Sequence, residues 1–188
     1  ITPHEYVDRV NRINQTPGLL WAAQQDWMCE PFMVEKSGLT VNEHQKRTVT
    51  NLIELRKLEC EVPFIPVLQG FSLEEYKNCF ELFESNNIDL RNEPLVGLGS
   101  VCRRQSTDEI EKIVKYFYHK DLRLHGFGVK IGGMKRYGEM LESSDSLAWS
   151  FGARYSQSHC SIHKDNPTTK NCANCLTYAL EWREKVLV

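Results

Sequence analysis

An α/β fold on a parallel sheet, of the (β/α)8 barrel type, is predicted by three observations. Short apolar runs recur with little polar alternation, as strands buried on both faces require. Between them lie stretches with helical spacing and N-terminal capping signals. Polar residues and glycines follow the runs directly, at the strand ends where such folds keep their ligands.

The runs occupy residues 19–23, 64–68, 94–98, 123–127 and 146–149, and a strand is expected over each. Helices are expected behind Thr2, Thr40, Ser72 and Ser106, because Glu5, Glu43, Glu75 and Glu109 complete a capping box three residues on. Apolar residues then recur at helical spacing: Val49, Leu52 and Ile53; Tyr76, Phe80 and Phe83; Ile110, Ile113, Val114 and Phe117. Further helices are expected over 137–141 and 176–186. A doubly wound sheet would also bind ligands at strand ends, but it usually carries a glycine-rich phosphate turn. Gly97-Leu98-Gly99 is too short a piece of that pattern, and no P-loop is present. The barrel is therefore favoured. Five strands leave an eight-stranded barrel open, and 188 residues fall short of the roughly 250 typical of the fold. Strands four to eight are expected here, with the first strands upstream of Ile1 or supplied by a complementing subunit. The chain divides at this level into a partial barrel, 1–155, and a metal-binding segment with a C-terminal helix, 156–188.

Composition is that of a globular chain, 41% hydrophobic and 26% charged. No apolar run approaches a membrane span, and the polar start has no signal-peptide pattern. Residues 1–102 hold nine Lys/Arg against fifteen Asp/Glu, residues 103–188 fourteen against ten. The basic half suits a polyanion such as nucleic acid.

Seven cysteines, an odd number with four in metal spacing, argue for a reducing, cytoplasmic setting and a bound metal. Cys160-Ser-Ile-His163, eight residues, then Cys172-Ala-Asn-Cys175 offer three thiols and an imidazole, a closed tetrahedral Zn2+ site of structural type. His159 rivals His163, but it adjoins Cys160 and would strain the turn. Cys29, Cys60, Cys79 and Cys102 read as small buried hydrophobes.

Several strand-end residues are candidates for chemistry. Asp26, beside Trp27 and Met28, either hydrogen-bonds a planar heterocycle or caps a turn. Gln69, before Gly70, either reads a base edge through its amide or is a solvated loop residue. Leu98 and Gly99, within 97–100, offer bare backbone to a planar ligand or simply pack tightly. Asp145, among serines, either attacks an anomeric carbon or caps a strand. Arg103, Arg104 and Arg154 suit phosphate, against a default of solvated surface. His125 reads as a satisfied core histidine.

Six segments then stand in order: residues 24–31, 66–70, 96–104, 124–129, 145–149 and 172–175. Together they resemble the tRNA-guanine transglycosylase superfamily, most closely its DNA-modifying branch, the 7-deazapurine DNA transglycosylases of bacteria and phages. The resemblance covers essentially the whole chain. It implies a (β/α)8 barrel with a structural zinc, and exchange of guanine for a 7-deazaguanine base through a covalent glycosyl-enzyme. It implies Asp145 as nucleophile; Asp26, Gln69, Leu98, Gly99, Gly126 and Phe127 as base-binding residues; and Arg154 near backbone phosphate. It also puts the general acid/base Asp upstream of Ile1, so this stretch alone is not expected to be competent. The tRNA enzymes place their zinc histidine after three cysteines, whereas His163 lies between the first and the last two. That order favours DNA over tRNA as the nucleic-acid partner. The alternatives are the same exchange on tRNA, or a catalytically silent nucleic-acid-binding subunit. A homodimer is compatible with each.

Overall fold

The computed structural model describes residues 1–16, 18–165 and 170–187. Its element order is α1 (Pro3–Asn14), β1 (Ala22–Ala23), α2 (Pro31–Ser37), α3 (Val41–Leu55), β2 (Phe64–Ile65), β3 (Val67–Leu68), α4 (Leu73–Ser85), β4 (Val96–Leu98), α5 (Asp108–Tyr118), β5 (Leu124–Gly126), α6 (Ile131–Tyr137), β6 (Ser143–Ser144), α7 (Ala148–Ser156) and α8 (Leu176–Leu187). Short 3-10 turns at Leu90–Asn92 and Gly138–Met140 complete it.

All strand pairings are parallel: β1 with β2, then β3-β4-β5-β6 in that order. β2 and β3 form one run interrupted at Pro66, which has no N–H to give a ladder. Its carbonyl still accepts from the Gly97 amide at 2.8 Å. Strands therefore follow one another in space as in sequence, with no reversal such as a doubly wound sheet needs. Successive helices do the same: α3 packs on α4, α4 on α5 and α5 on α6. The Trp21 and His125 rings meet edge-to-face at 4.9 Å between centroids. Flat strands at the ends of the β1-to-β5 series would stand roughly 14 Å apart, so the sheet curls strongly about its interior.

Thr2, Thr40 and Ser72 close capping boxes on α1, α3 and α4, as their sequences predict. The box predicted at Ser106 does not form. Thr107 takes the cap of α5 instead, because its amide and hydroxyl both turn back onto the Arg104 carbonyl. Apolar faces of α3, α4 and α5 meet the strands in a core that includes Leu52, Leu68, Tyr76, Phe83, Ile113 and Phe117, all fully buried. Each such side chain contributes about 1.5–3 kcal/mol over its exposed state.

Three sequence expectations are corrected. The run at 146–149 is not a strand: β6 lies earlier, at Ser143–Ser144, and Ser146 accepts the Ala148 amide to open α7. Asp145 thus follows a strand rather than beginning one. The helix expected over 137–141 is α6, displaced to Ile131–Tyr137, followed by a 3-10 turn. Helix α2, started by Pro31 and ended by left-handed Gly38, has no counterpart in the sequence reading. Of the scattered cysteines Cys29 and Cys79 are buried as expected, Cys60 is partly buried and Cys102 exposed. α8 forms as expected and packs on α7. No helix among the described residues is long and apolar enough to cross a membrane.

Candidate active site and metal centre

The C-terminal ends of the parallel strands share one rim, and the sequence candidates gather there. Asp26 lies beyond β1, Gln69 follows β3, Gly99 and Ser100 follow β4, Phe127 follows β5 and Asp145 follows β6.

Gln69 is the centre of a buried network. Its side chain is fully enclosed, with Nε2 donating to Asp26 Oδ2. Its Oε1 accepts from Ser100 Oγ at 2.6 Å and from the Cys29 amide at 3.4 Å. Ser100 Oγ also accepts from the Cys29 amide at 2.9 Å. Gln45 reaches across to donate to the Gln69 carbonyl at 2.8 Å. Gln69 is thus committed to neighbours rather than solvated. A Cβ at position 99 would lie 2.0 Å from Gln69 Nε2, so only glycine lets the amide lie against the strand end. Ser100 adopts left-handed φ 55°, a conformation that costs a non-glycine residue and that sets its hydroxyl into the network. Sequence reading missed Ser100 as a separate contributor; only a long-range bond to Cys29 reveals it.

Asp26 is itself exposed, yet the protein atoms packed around its carboxyl at this rim raise it above the usual range. Desolvation outweighs the Gln69 hydrogen bond that opposes it. A hollow of about 560 Å3 opens beside Asp26, Trp27 and Arg47. The Arg47 guanidinium lies 4.5 Å above the Trp27 ring.

Phe127 covers Gly97, where a Cβ would strike its ring at 2.4 Å. Its amide donates to the Leu98 carbonyl at 3.4 Å, and its ring meets His125 edge-to-face at 4.6 Å. His125 is 4% exposed, whereas the Asp145 side chain is 57% exposed. Asp145 Oδ1 accepts from His125 Nε2 at 3.3 Å and from the Gly128 amide at 3.1 Å. The His125 bond, helped by Gly128, holds the carboxyl below the usual range against partial desolvation. His125 is therefore buried as read, but it is also the partner of Asp145, a link invisible from its place in an apolar run. A cavity of about 450 Å3 lies beside Asp145, walled by Ser144, Ser146, Trp182 and Arg183. A larger hollow of about 670 Å3, between Asn11, Asn14 and Glu59–Glu61, holds neither carboxylate.

The three arginines separate. Arg103 is exposed, stacks over Phe32 and approaches the buried Glu30 at 3.7 Å. Arg104 is spent inside the fold, on Glu109 at 2.7 Å, on the Phe71 carbonyl at 2.5 Å and over the Phe71 ring. Arg154 is exposed on the last turn of α7.

The metal candidates converge. Ligand atoms of Cys160, His163, Cys172 and Cys175 all lie within 4.8 Å of one another. Cys160 Sγ stands 3.8 Å from both other sulfurs. His163 Nδ1 is 3.2, 3.5 and 3.7 Å from the sulfurs of Cys160, Cys172 and Cys175. A tetrahedral Zn2+ with bonds of about 2.3 Å to sulfur spaces its sulfurs roughly 3.8 Å apart, so the donor set and its edges fit that ion. The Cys160 amide donates to Cys172 Sγ, and the Tyr178 amide at the start of α8 draws the Cys175 thiol down to about 7. Ser161 is tied to Glu181 on α8, which fixes the helix to the knuckle.

No curated protein and no solved structure matches the chain. The family model DpdA, described as DeoxyPurine in DNA protein A, matches residues 1–188. With that match spanning its full length, the chain belongs to the DpdA family.

Proposed function

We propose that this chain carries the base-binding face and nucleophile of an enzyme that exchanges guanine in DNA for a 7-deazaguanine base. The observation that carries the reading is the pair of carboxylates at the two ends of one strand rim. Asp26 is pushed up and Asp145 held down, a separation that marks different roles. The family match supplies the deoxypurine and the DNA.

In this reading the strands are an arc of a (β/α)8 barrel, supported by their unreversed order and the Trp21–His125 contact. The base lies between Asp26 and Phe127, over Leu98, Gly99 and Gly126, with Gln69 setting the Asp26 carboxylate. Asp145 is charged and reachable, as a nucleophile must be. It attacks C1′ of a nucleotide turned out of the duplex. The C1′–N9 bond breaks, and its electron pair leaves with guanine, which takes a proton from a general acid outside these residues. The incoming deazaguanine attacks the glycosyl-enzyme from the other side and gives up its proton. Two inversions retain configuration. Arg103 and Arg154, both exposed, meet backbone phosphate in this reading. The Cys3His centre, filled by Zn2+, supplies structure only: its four donors leave no open position.

The test is nucleoside mass spectrometry of DNA and tRNA from cells carrying the intact gene or its Asp145→Asn form. We expect a deazaguanine deoxynucleoside in DNA, lost in the variant while DNA binding remains. Modification confined to tRNA sinks the DNA reading. Full modification by D145N sinks the nucleophile, and no modification at all favours a silent binding subunit.

A further inference from the structure

We infer that His125 is a positioning residue for Asp145: it selects the carboxylate oxygen that attacks and assists the carboxylate as leaving group in the second half of the exchange. This rests on the reading of Asp145 as nucleophile.

The His125 ring is fixed before substrate arrives. It is 4% exposed and wedged edge-to-face between Trp21 at 4.9 Å and Phe127 at 4.6 Å. Both nitrogens are engaged: Nδ1 lies 2.8 Å from Ser143 Oγ and Nε2 lies 3.3 Å from Asp145 Oδ1. An ionised carboxylate only accepts hydrogen bonds, so Nε2 carries the hydrogen. In the neutral ring Nδ1 then accepts from the Ser143 hydroxyl, which sets the tautomer. Gly128 donates to the same Oδ1 at 3.1 Å. Both bonds end on one oxygen, and Oδ2 is the oxygen neither of them holds. Oδ2 is therefore the attacking atom.

The consequence differs between the two steps. In the first, the Oδ2–C1′ bond forms, the C1′–N9 bond breaks, and Asp145 passes from anion to ester. A donor on Oδ1 favours the starting anion there. In the second, the incoming base nitrogen bonds to C1′, the Oδ2–C1′ pair returns to the carboxylate, and charge reappears on Oδ1. The His125 N–H now stabilises what is forming. One proton passes from incoming base to departing guanine through the general acid/base, so none is consumed. Removing the donor thus slows the second step more than the first, and the covalent enzyme accumulates.

The experiment compares H125F, H125Q and S143A in the protein expressed from the intact gene, with D145N in parallel. Phe keeps the aromatic wedge without nitrogens; Gln keeps an amide N–H near the place of Nε2. Readouts are exchange rate at saturating base, KM for DNA, and the fraction of protein in a denaturant-stable DNA adduct. We expect H125F to lose roughly tenfold in exchange, the size of one hydrogen bond to a charged group, with DNA KM little changed. Its adduct fraction should rise, H125Q should recover most of the rate, and S143A should show the same adduct rise more weakly. Wild-type turnover by H125F overturns the inference, as does equal loss in H125F and H125Q without adduct. If H125F does not fold, an unchanged S143A adduct fraction overturns it. Exchange by D145N instead defeats the nucleophile reading, while a dead D145N beside a normal H125F defeats only the role of His125.

Discussion

Asp26 and Asp145 stand at the two ends of the same strand series and are held in opposite ways. Asp26 is set by Gln69, whose own amide is pinned by Ser100, Cys29 and the close approach of Gly99. Three separate stretches of chain meet there, and Gln69, Cys29 and Ser100 are buried although Asp26 itself reaches solvent. Asp145 rests on two hydrogen bonds to β5 and the turn after it, and more than half of its side chain is open. A group that recognises a rigid planar base gains from being fixed in advance, because ordering it on binding costs affinity. In the proposed reading Asp145 is the nucleophile, which needs reach and charge, and its lowered carboxyl keeps that charge. The contrast also sets how each end fails: the Asp26 end through the core, the Asp145 end through the segment that walls it.

The largest expected effect falls on the Asp145 end alone. Trp182 and Arg183 of α8 line its cavity, and α8 is tied to the metal knuckle through Cys175 and Glu181. Structural zinc contributes on the order of 10 kcal/mol to the segment it folds. Purified protein is expected to hold about one zinc per chain, and Cys172→Ser to lose it. Hydrogen exchange should then show α8 unprotected while β3, β4 and α4 keep their protection. Protection lost equally in both regions, or in neither, breaks the division between the two ends.

Gln69→Leu is the matching break at the other end. It leaves the Ser100 hydroxyl without its buried acceptor, while the Cys29 amide keeps Ser100 Oγ, and an unsatisfied buried group costs about 1–3 kcal/mol. We expect destabilisation of about 2 kcal/mol in denaturant titration, with zinc content unchanged. A loss below about 0.5 kcal/mol, the scale of surface substitutions, means that the network is relaxed by water and that Asp26 is not held by it.

The two ends were unequally legible in the sequence. The Cys160–Cys175 cluster is local: spacing alone brings four donors together, and the structure closes them within 4.8 Å. The strand–helix alternation was also readable, because buried parallel strands leave apolar runs and capping boxes mark helix starts. The run at 146–149 misled because three apolar residues, Leu147, Ala148 and Trp149, fit a helix as well as a strand. By local setting Gln69 reads as either an edge reader or a solvated loop residue, and His125 as a core residue. Their partners lie 31 and 20 residues away, at Ser100 and Asp145, and no periodicity carries that information.

The smallest effect is also the most direct contrast, a change of sign with pH. Asp26 has its folded pKa raised above the ordinary value of 3.8. Its contribution to stability is therefore full below that value and is lost as pH rises through the folded pKa. Asp145 has its folded pKa lowered, so its contribution is present above 3.8 and lost as pH falls through the folded pKa. Asn at either position keeps shape and an acceptor but cannot ionise. Asp145→Asn should therefore lower Tm near neutral pH, and the deficit should shrink on acidification below the ordinary Asp range. Asp26→Asn should hold or raise Tm near neutral pH, and that advantage should fade on the same acidification. Each variant is compared with the parent at the same pH, so protonation of the metal ligands cancels from the difference. Deficits of one sign in both variants would mean that the two carboxylates share an environment, and the assignment of recognition to one end and attack to the other would lose its physical basis.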